Sequence, residues 1–190
     1  MTSTSFFSSR LRVTGIAASL LILIIAVAAP AAQDQARKVV PVVAPAALEQ
    51  FVPAALDGWT KVRSTSFRVT DGCAYTFAEA VYTNGDAKLR LTVADTGFDG
   101  DALMTVATIV LSFPAGHTET IPPDTVISRI TYREYPAATM WNKAKSEGEF
   151  TVVVGDRFVV KVESTRGGDV ETLRGVLDKI DLKKITELGR

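Results

Sequence analysis

The sequence is poorest in the side chains that build metal and disulfide sites. It has one cysteine, Cys73, and one histidine, His117, among 190 residues. A single cysteine forms no disulfide within the chain, so apolar packing alone must hold the fold. A single histidine makes no zinc site without several further ligands. A nucleophile elbow, a P-loop and a dinucleotide fingerprint are also missing. We therefore predict no catalytic, cofactor-binding or metal-ligating residue and no bound cofactor.

An excess of charge of either sign is missing too. The chain has 21 basic and 21 acidic residues. Removal of Arg10 and Arg12 with the N-terminal segment would leave 19 basic residues against 21 acidic ones, a net charge of −2. The charges are dispersed, with no run of like sign. This pattern argues against a nucleic-acid partner and against attraction to an anionic membrane.

The one long hydrophobic run lies at the N-terminus. Two arginines precede an apolar run from Gly15 to Ala32, and Ala29-Pro30-Ala31 supplies small residues at its end. This order is typical of a secretory signal, so we predict a signal peptide over residues 1–31, cut near Ala31, and a periplasmic or secreted protein. The run also approaches the roughly 20 residues that span a membrane, so a retained anchor is the alternative.

The remaining chain divides into a tether and one domain. Residues 32–47 are rich in proline and alanine and predict a flexible tether, and residues 48–190 can bury a single core. Predicted strands cluster rather than alternate with helices. We therefore predict an α+β fold, with a single antiparallel β-sheet and two main helices packed on one face.

Two hairpins carry the strongest local signals. Asn84-Gly85 between alternating segments predicts a two-residue turn that pairs Thr83 with Asp86. For residues 149–164, a two-residue turn would mix Lys161 with apolar side chains. A three-residue loop, Gly155-Asp156-Arg157, instead puts the large apolar residues of both strands on one face.

Helical spacing occurs in three further segments. Residues 48–59 predict a short helical turn that brings Trp59 into the core. Residues 96–116 predict a helix, with a strand as the competing interpretation because β-branched residues are frequent. Residues 117–126, with two adjacent prolines, predict a loop. Residues 167–185 predict one amphipathic helix capped by Asp169.

Each residue that suggests chemistry has a plainer interpretation. His117 is predicted to be exposed and neutral, because a general base needs a partner that orients it. Cys73 is predicted to be a small buried hydrophobe, with a free thiol that cross-links two chains as the alternative. A Cys73–His117 pair has no local signature.

Other polar and aromatic groups can be explained by turns, caps and packing. Asp95, Asp99 and Asp101 could collect calcium, but they do not match an EF-hand loop, and capping explains the last two. The loop 155–157 and the segment 166–168 could bind an anion, but both are more simply explained as turns. An aromatic group is more simply explained as core packing. Its members are Tyr132, Tyr135, Trp141 and Phe150.

The mature chain resembles small exported bacterial proteins with a PsbP-like fold. The residues that carry this resemblance are FVPAALDGW (51–59), the hairpin from Tyr82 to Asp95, the strand segment GDRFVVKVES (155–164) and the closing LRGVLDKIDLKK (173–184). The resemblance implies an antiparallel sheet with helices on it, serving as a non-enzymatic accessory or binding domain. It carries no functional residue over to this chain.

Three functions follow as hypotheses. The first is an exported cell-envelope accessory or binding domain without catalytic activity, whose partner is an envelope protein or a small ligand. The second is a membrane-anchored interaction domain that keeps its N-terminal helix. The third is a hydrolase whose site is assembled only in the fold.

Overall fold

A computed structural model of the chain describes residues 41–70, 74–97 and 112–190. Over these residues the chain forms three short helices and one eight-stranded antiparallel sheet. The helices are α1 Pro45–Glu49, α2 Val170–Leu177 and α3 Leu182–Leu188. The strands are β1 Thr60–Val69, β2 Tyr75–Asn84, β3 Ala87–Asp95, β4 Thr118–Ile121, β5 Thr125–Tyr132, β6 Tyr135–Asn142, β7 Glu147–Val154 and β8 Phe158–Thr165.

The strands lie in the order β1-β2-β3-β8-β7-β6-β5-β4, and each pairs antiparallel with its neighbours. Two sets of neighbours in sequence, β1 to β3 and β4 to β8, are joined by the pairing of β3 with β8. Among the described strands, β1 and β4 are at the two edges. The predicted single antiparallel sheet is therefore confirmed.

The loop between β7 and β8 has three residues, as predicted. Val154 pairs with Phe158 and Val152 pairs with Val160 across Gly155-Asp156-Arg157. Gly155 and Asp156 have φ values of 59° and 54°, in the left-handed region that a tight reversal requires. The paired apolar side chains of both strands are buried on the same face of the sheet.

The β2–β3 turn is one position further along the chain than predicted. Asn84 pairs with Ala87, so the turn residues are Gly85 and Asp86, and Thr83 pairs with Lys88 rather than with Asp86. Gly85 alone of the two has a positive φ, 58°. Glycine at the first central position is typical of a type II′ turn, whereas the prediction assumed type I′. The shift moves the pairing by two residues, so every side chain keeps its predicted face.

Three local predictions are wrong at their boundaries. The single helix predicted over 167–185 is two helices, α2 and α3, and Asp181 caps the second by accepting a hydrogen bond from Lys184 N–H. The predicted loop 117–126 contains β4, because its threonines and Ile121 suit a strand and β5 provides the partner. The first helix ends at Glu49, well before the position expected for residues 48–59, although Trp59 does pack against the core.

One apolar core unites the helices with alternate residues of the central strands. It includes Leu48 of α1, Leu173 and Leu177 of α2, and Ile185 of α3. The sheet face that contributes to this core is called the core face below. Its central members are Ala78, Ala80, Tyr82, Leu89, Leu91, Val93, Phe150, Val152, Val154, Phe158, Val160 and Val162. Across the described residues, none of the helices has the length and apolar character needed to cross a membrane.

Candidate functional site

A buried ion pair lies behind the β7–β8 loop. Arg157 Nε donates to Asp95 Oδ1 and Arg157 Nη2 donates to Asp95 Oδ2, each at 2.8 Å. The two side chains are 4% and 0% exposed. Asp95 Oδ1 also accepts from Gly97 N–H at 3.0 Å. The geometry is bidentate, and it ties the end of β3 to the start of β8.

The segment before α1 completes this site. Arg157 Nη2 donates to the Pro41 carbonyl at 2.9 Å, and Val43 N–H donates to Asp95 Oδ2 at 2.7 Å. Arg68 Nη2 donates to the carbonyls of Val42 and Val43 at 3.0 and 3.1 Å. Residues 41–44, which lie in the predicted tether, are therefore hydrogen-bonded to the domain. We call residues 41–44 the N-terminal strap.

Arg157 is thus a structural residue rather than a surface anion site. Its guanidinium is held by Asp95 and the strap, and it lies 5.2 Å from the Phe158 ring centroid. The Asp95 carboxylate accepts hydrogen bonds from Arg157, Gly97 and Val43, so it is not available for a calcium ion. Asp99, Asp101 and Cys73 lie outside the described residues. Within the described ranges no group of three His, Cys, Asp or Glu side chains is arranged to hold a metal ion.

His117 lies next to β4, away from a cleft with convergent polar groups. Its ring stacks on Phe113 with the centroids 4.6 Å apart, and Nε2 is 3.4 Å from Glu119 Oε2. Both side chains of the His117–Glu119 pair are partly exposed. The nearby hydroxyls of Thr118 and Ser128 are hydrogen-bonded to each other at 3.2 Å.

The segment 166–168 is a turn that leads into α2, as predicted. Asp169 is the N-cap, and its carboxylate accepts from Thr172 N–H at 2.8 Å, which lowers the pKa of Asp169. The Thr172 hydroxyl in return accepts a longer bond from Asp169 N–H at 3.3 Å. These groups satisfy one another and leave no donor array for an anion.

The predicted aromatic group belongs mainly to the core. Tyr132 and Phe150 meet edge to face with centroids 5.3 Å apart. Burial and a 2.6 Å hydrogen bond to Asp178 raise the pKa of Tyr132 well above its ordinary value. Tyr82, on the same sheet face, has its pKa raised to about 12 by burial. Both hydroxyls are therefore neutral donors at physiological pH.

The opposite face of the sheet carries a row of charges across four strands. Arg90 is 3.6 Å from Glu79 and 3.8 Å from Glu163. Lys161 is 3.2 Å from Glu163 and 3.9 Å from Glu149. Glu149 and Glu163 are direct neighbours in the β7–β8 ladder. The pKa of Glu149 is raised, first by burial and also by Glu163, while Lys161 opposes the shift.

A groove of about 610 Å³ lies between the β5–β6 turn and the connection from α2 to α3. Within this groove, Arg133 Nη2 is 2.7 Å from Asp178 Oδ1. The charged lining residues are three cations and three anions, so the groove favours no sign of ligand charge. They are Arg133, Lys179, Lys183, Glu134, Asp178 and Asp181.

The two most exposed large apolar side chains of the described residues lie on edge strand β1, and Ile121 and Val126 follow at 42% and 39%. Val62 is 57% exposed and Phe67 is 43% exposed. The β1–β2 register shifts at Val62, between Lys61 and Arg63. Phe67 is directly opposite Phe77, with the ring centroids 3.9 Å apart. We call Val62, Arg63 and Phe67 the β1 edge surface.

At this surface the sequence predicts the strand alone. The residues 60–69 alternate imperfectly, which predicts a strand but does not identify an edge. Edge position depends on which strands pair, and β1 pairs with β2 alone among the described strands. The available signal was compositional, since Thr60–Val69 has three basic residues and no acidic one.

Comparison with known proteins gave no relative. The chain matches no family model, no curated protein and no solved structure.

Proposed function

We propose that this chain is an exported cell-envelope accessory protein that binds a protein partner and does not catalyse a reaction. The exposed β1 edge surface carries this proposal. Val62 and Phe67, two large apolar side chains, are exposed on β1, which pairs with β2 alone among the described strands. Exposed apolar edges are a hazard for a protein that works alone, and they are used for partner binding in many that do not.

The polar groups of the domain support the binding role. The buried pair Asp95–Arg157 stabilises the fold, and Asp169 caps a helix. His117 stacks against Phe113 and contacts Glu119 at the start of the other edge strand. These groups have clear structural uses, so none of them competes with the β1 edge surface as a binding site.

Site-specific photo-crosslinking in cells tests the binding role. A photoreactive amino acid replaces Val62 in the full chain. The control carries it at Glu171, which is also exposed, with 72% of its side chain accessible. We expect a light-dependent adduct from position 62 and none from position 171. No adduct, or equal adducts from both positions, would remove the proposal.

Turnover assays test the non-catalytic part. The mature protein and a His117→Ala variant are assayed on panels of ester, peptide and glycoside substrates. We expect no turnover above the buffer rate with either protein. Hydrolysis that the wild type supports and the variant loses would instead establish the hydrolase alternative.

The support for export is the sequence pattern of residues 1–31. Mass spectrometry of the mature N-terminus is expected to find Ala32, or a neighbouring residue, as the first. An intact Arg10 would favour a membrane-anchored form.

The arrangement of two main helices on one face also stays a proposal, since the first of them, 96–116, lies largely outside the described residues.

A further inference from the structure

The β1 edge surface carries charge as well as apolar area. Lys61, Arg63 and Arg68 are all on β1, and the strand has no acidic residue. Lys61 and Arg68 donate to backbone carbonyls, which do not cancel their charge. In the part of the chain that the structure describes, none of the three forms an ion pair. On the core side of this strand, Glu49 accepts a hydrogen bond from Ser66.

The two edges of the sheet differ in how well they resist pairing. Strand β4 has four residues, all exposed, includes Glu119, and is followed by two prolines. Short length and proline limit pairing at β4, whereas the protections of β1 are its three cations and the register shift at Val62. Strand β1 has ten residues, and its ladder with β2 is regular from Arg63 to Val69. A partner strand therefore has a usable template at β1.

The charges of β1 also decide what kind of strand can pair there. A second copy of β1 would bring cations next to cations, which disfavours self-association. A segment with acidic residues would be attracted instead. A lipid surface would satisfy the charge and the apolar side chains, but it cannot satisfy the unpaired backbone groups of the edge.

We propose that the partner adds an extended segment to the outer edge of β1, and that this segment carries an acidic and an apolar residue four positions apart. This proposal rests on the proposed binding function and names its partner chemistry. Arg63 and Phe67 lie on the same face of β1, because they pair with Val81 and Phe77. They are about 13 Å apart along the strand, so an acidic residue next to Arg63 and an apolar residue next to Phe67 have this spacing.

A charge exchange tests the proposal. The probes are a nine-residue strand peptide with glutamate and phenylalanine four positions apart and its twin with lysine in place of glutamate. Binding to the mature protein is followed by NMR and by amide exchange of residues 63–69. We expect the alternate amides of this stretch that point away from β2 to be protected by the glutamate peptide. That peptide should bind about fivefold more tightly than its twin at low salt, as expected for an exposed ion pair.

The variant Arg63→Glu is expected to invert this preference, so that the lysine peptide binds better. Lys183→Glu makes the same charge change at an exposed site outside β1 and should leave the preference unchanged. Thermal unfolding of both variants controls for folding. An unchanged preference in Arg63→Glu, or no protection of residues 63–69 by either peptide, would overturn the proposal.

Three outcomes separate this mode of binding from its alternatives. Crosslinking from position 62, without protection of residues 63–69 by either peptide, would keep the binding function and reject the added strand. Binding of the protein to vesicles of anionic phospholipid, lost in Arg63→Glu and without peptide binding, would replace the strand with a membrane surface. If the peptide pairs with β1 but no partner is crosslinked in cells, β1 can accept an added strand, and the proposed binding function in cells is rejected.

Discussion

At the scale of single residues, the buried pair Asp95–Arg157 has the largest energetic consequences. Both side chains are almost fully buried and are joined by two hydrogen bonds of 2.8 Å. A buried pair of this kind contributes little net stability compared with apolar residues, because both charges lose their hydration. Loss of one partner is costly, because the other charge stays buried without compensation.

We expect Arg157→Met to lower the free energy of unfolding by about 3–5 kcal/mol. The double variant Asp95→Asn/Arg157→Met also removes the buried negative charge of Asp95, which has lost its partner, and should recover a large part of that loss. Urea unfolding of the three proteins measures both effects. Arg133→Met breaks the exposed pair with Asp178 and should cost less than about 1 kcal/mol. A double variant less stable than the single one would contradict this account.

A second residue-scale effect concerns pH. Because the pKa of Glu149 is raised in the fold above its ordinary value of 4.5, the folded state binds this proton more tightly than the unfolded state. The stability that Glu149 contributes is therefore present below pH 4.5 and is lost as the pH rises through the raised pKa.

We expect Glu149→Gln to have no pH-dependent advantage at pH 4 and to gain stability over the wild type as the pH rises above 4.5. Denaturant unfolding between pH 4 and pH 8 gives this difference. If the wild type instead gained stability over Glu149→Gln with rising pH, the attraction of Lys161 would outweigh burial.

At the scale of elements, two glycines give opposite expectations for one substitution. A Cβ on Gly148 of β7 would lie 2.1 Å from the Met140 carbonyl oxygen and 2.7 Å from the Trp141 ring. Gly148→Ala should therefore cost about 1–3 kcal/mol through overpacking.

Gly175 of α2 has no atom within 4 Å of the added Cβ. Gly175→Ala should stabilise by about 0.5–1 kcal/mol, because alanine favours a helix. Thermal unfolding compares the two, and a stable Gly148→Ala would refute the close approach at the β6–β7 pair.

The elements also show what the sequence could predict. The three-residue loop at 155–157 follows from side-chain parity within sixteen residues, so it was predictable. The turn at Gly85 was placed one position early, because Asn84-Gly85 and Gly85-Asp86 both suit a hairpin and the type of turn decides between them. The ion pair of Asp95 with Arg157 joins residues 62 positions apart. No local pattern signals a contact of that range, and the same limit applies to the edge position of β1.

At the scale of the whole molecule, the N-terminal strap connects the start of the described chain to the buried charge pair of the domain. It gives Asp95 one of its donors and gives Arg157 one of its acceptors. The predicted cut near Ala31 leaves the strap attached, so the exported protein should retain the complete site. A chain that begins at residue 45 would keep every strand but lose these bonds to a buried charge pair.

We therefore expect a chain that begins at residue 32 to match the stability of one that begins at residue 40, whereas a chain that begins at Pro45 should lose about 3 kcal/mol. This loss is the expected size for two hydrogen bonds to buried charged groups, each worth about 1.5–3 kcal/mol, partly replaced by water. Urea unfolding of the three chains measures it. Addition of Arg157→Met to the shortest chain should cost less than it does in the longest, because the bond to the Pro41 carbonyl is already absent. Fully additive losses would show that the strap stabilises the domain by its own packing, through Val42 and Val43, and not through the ion pair.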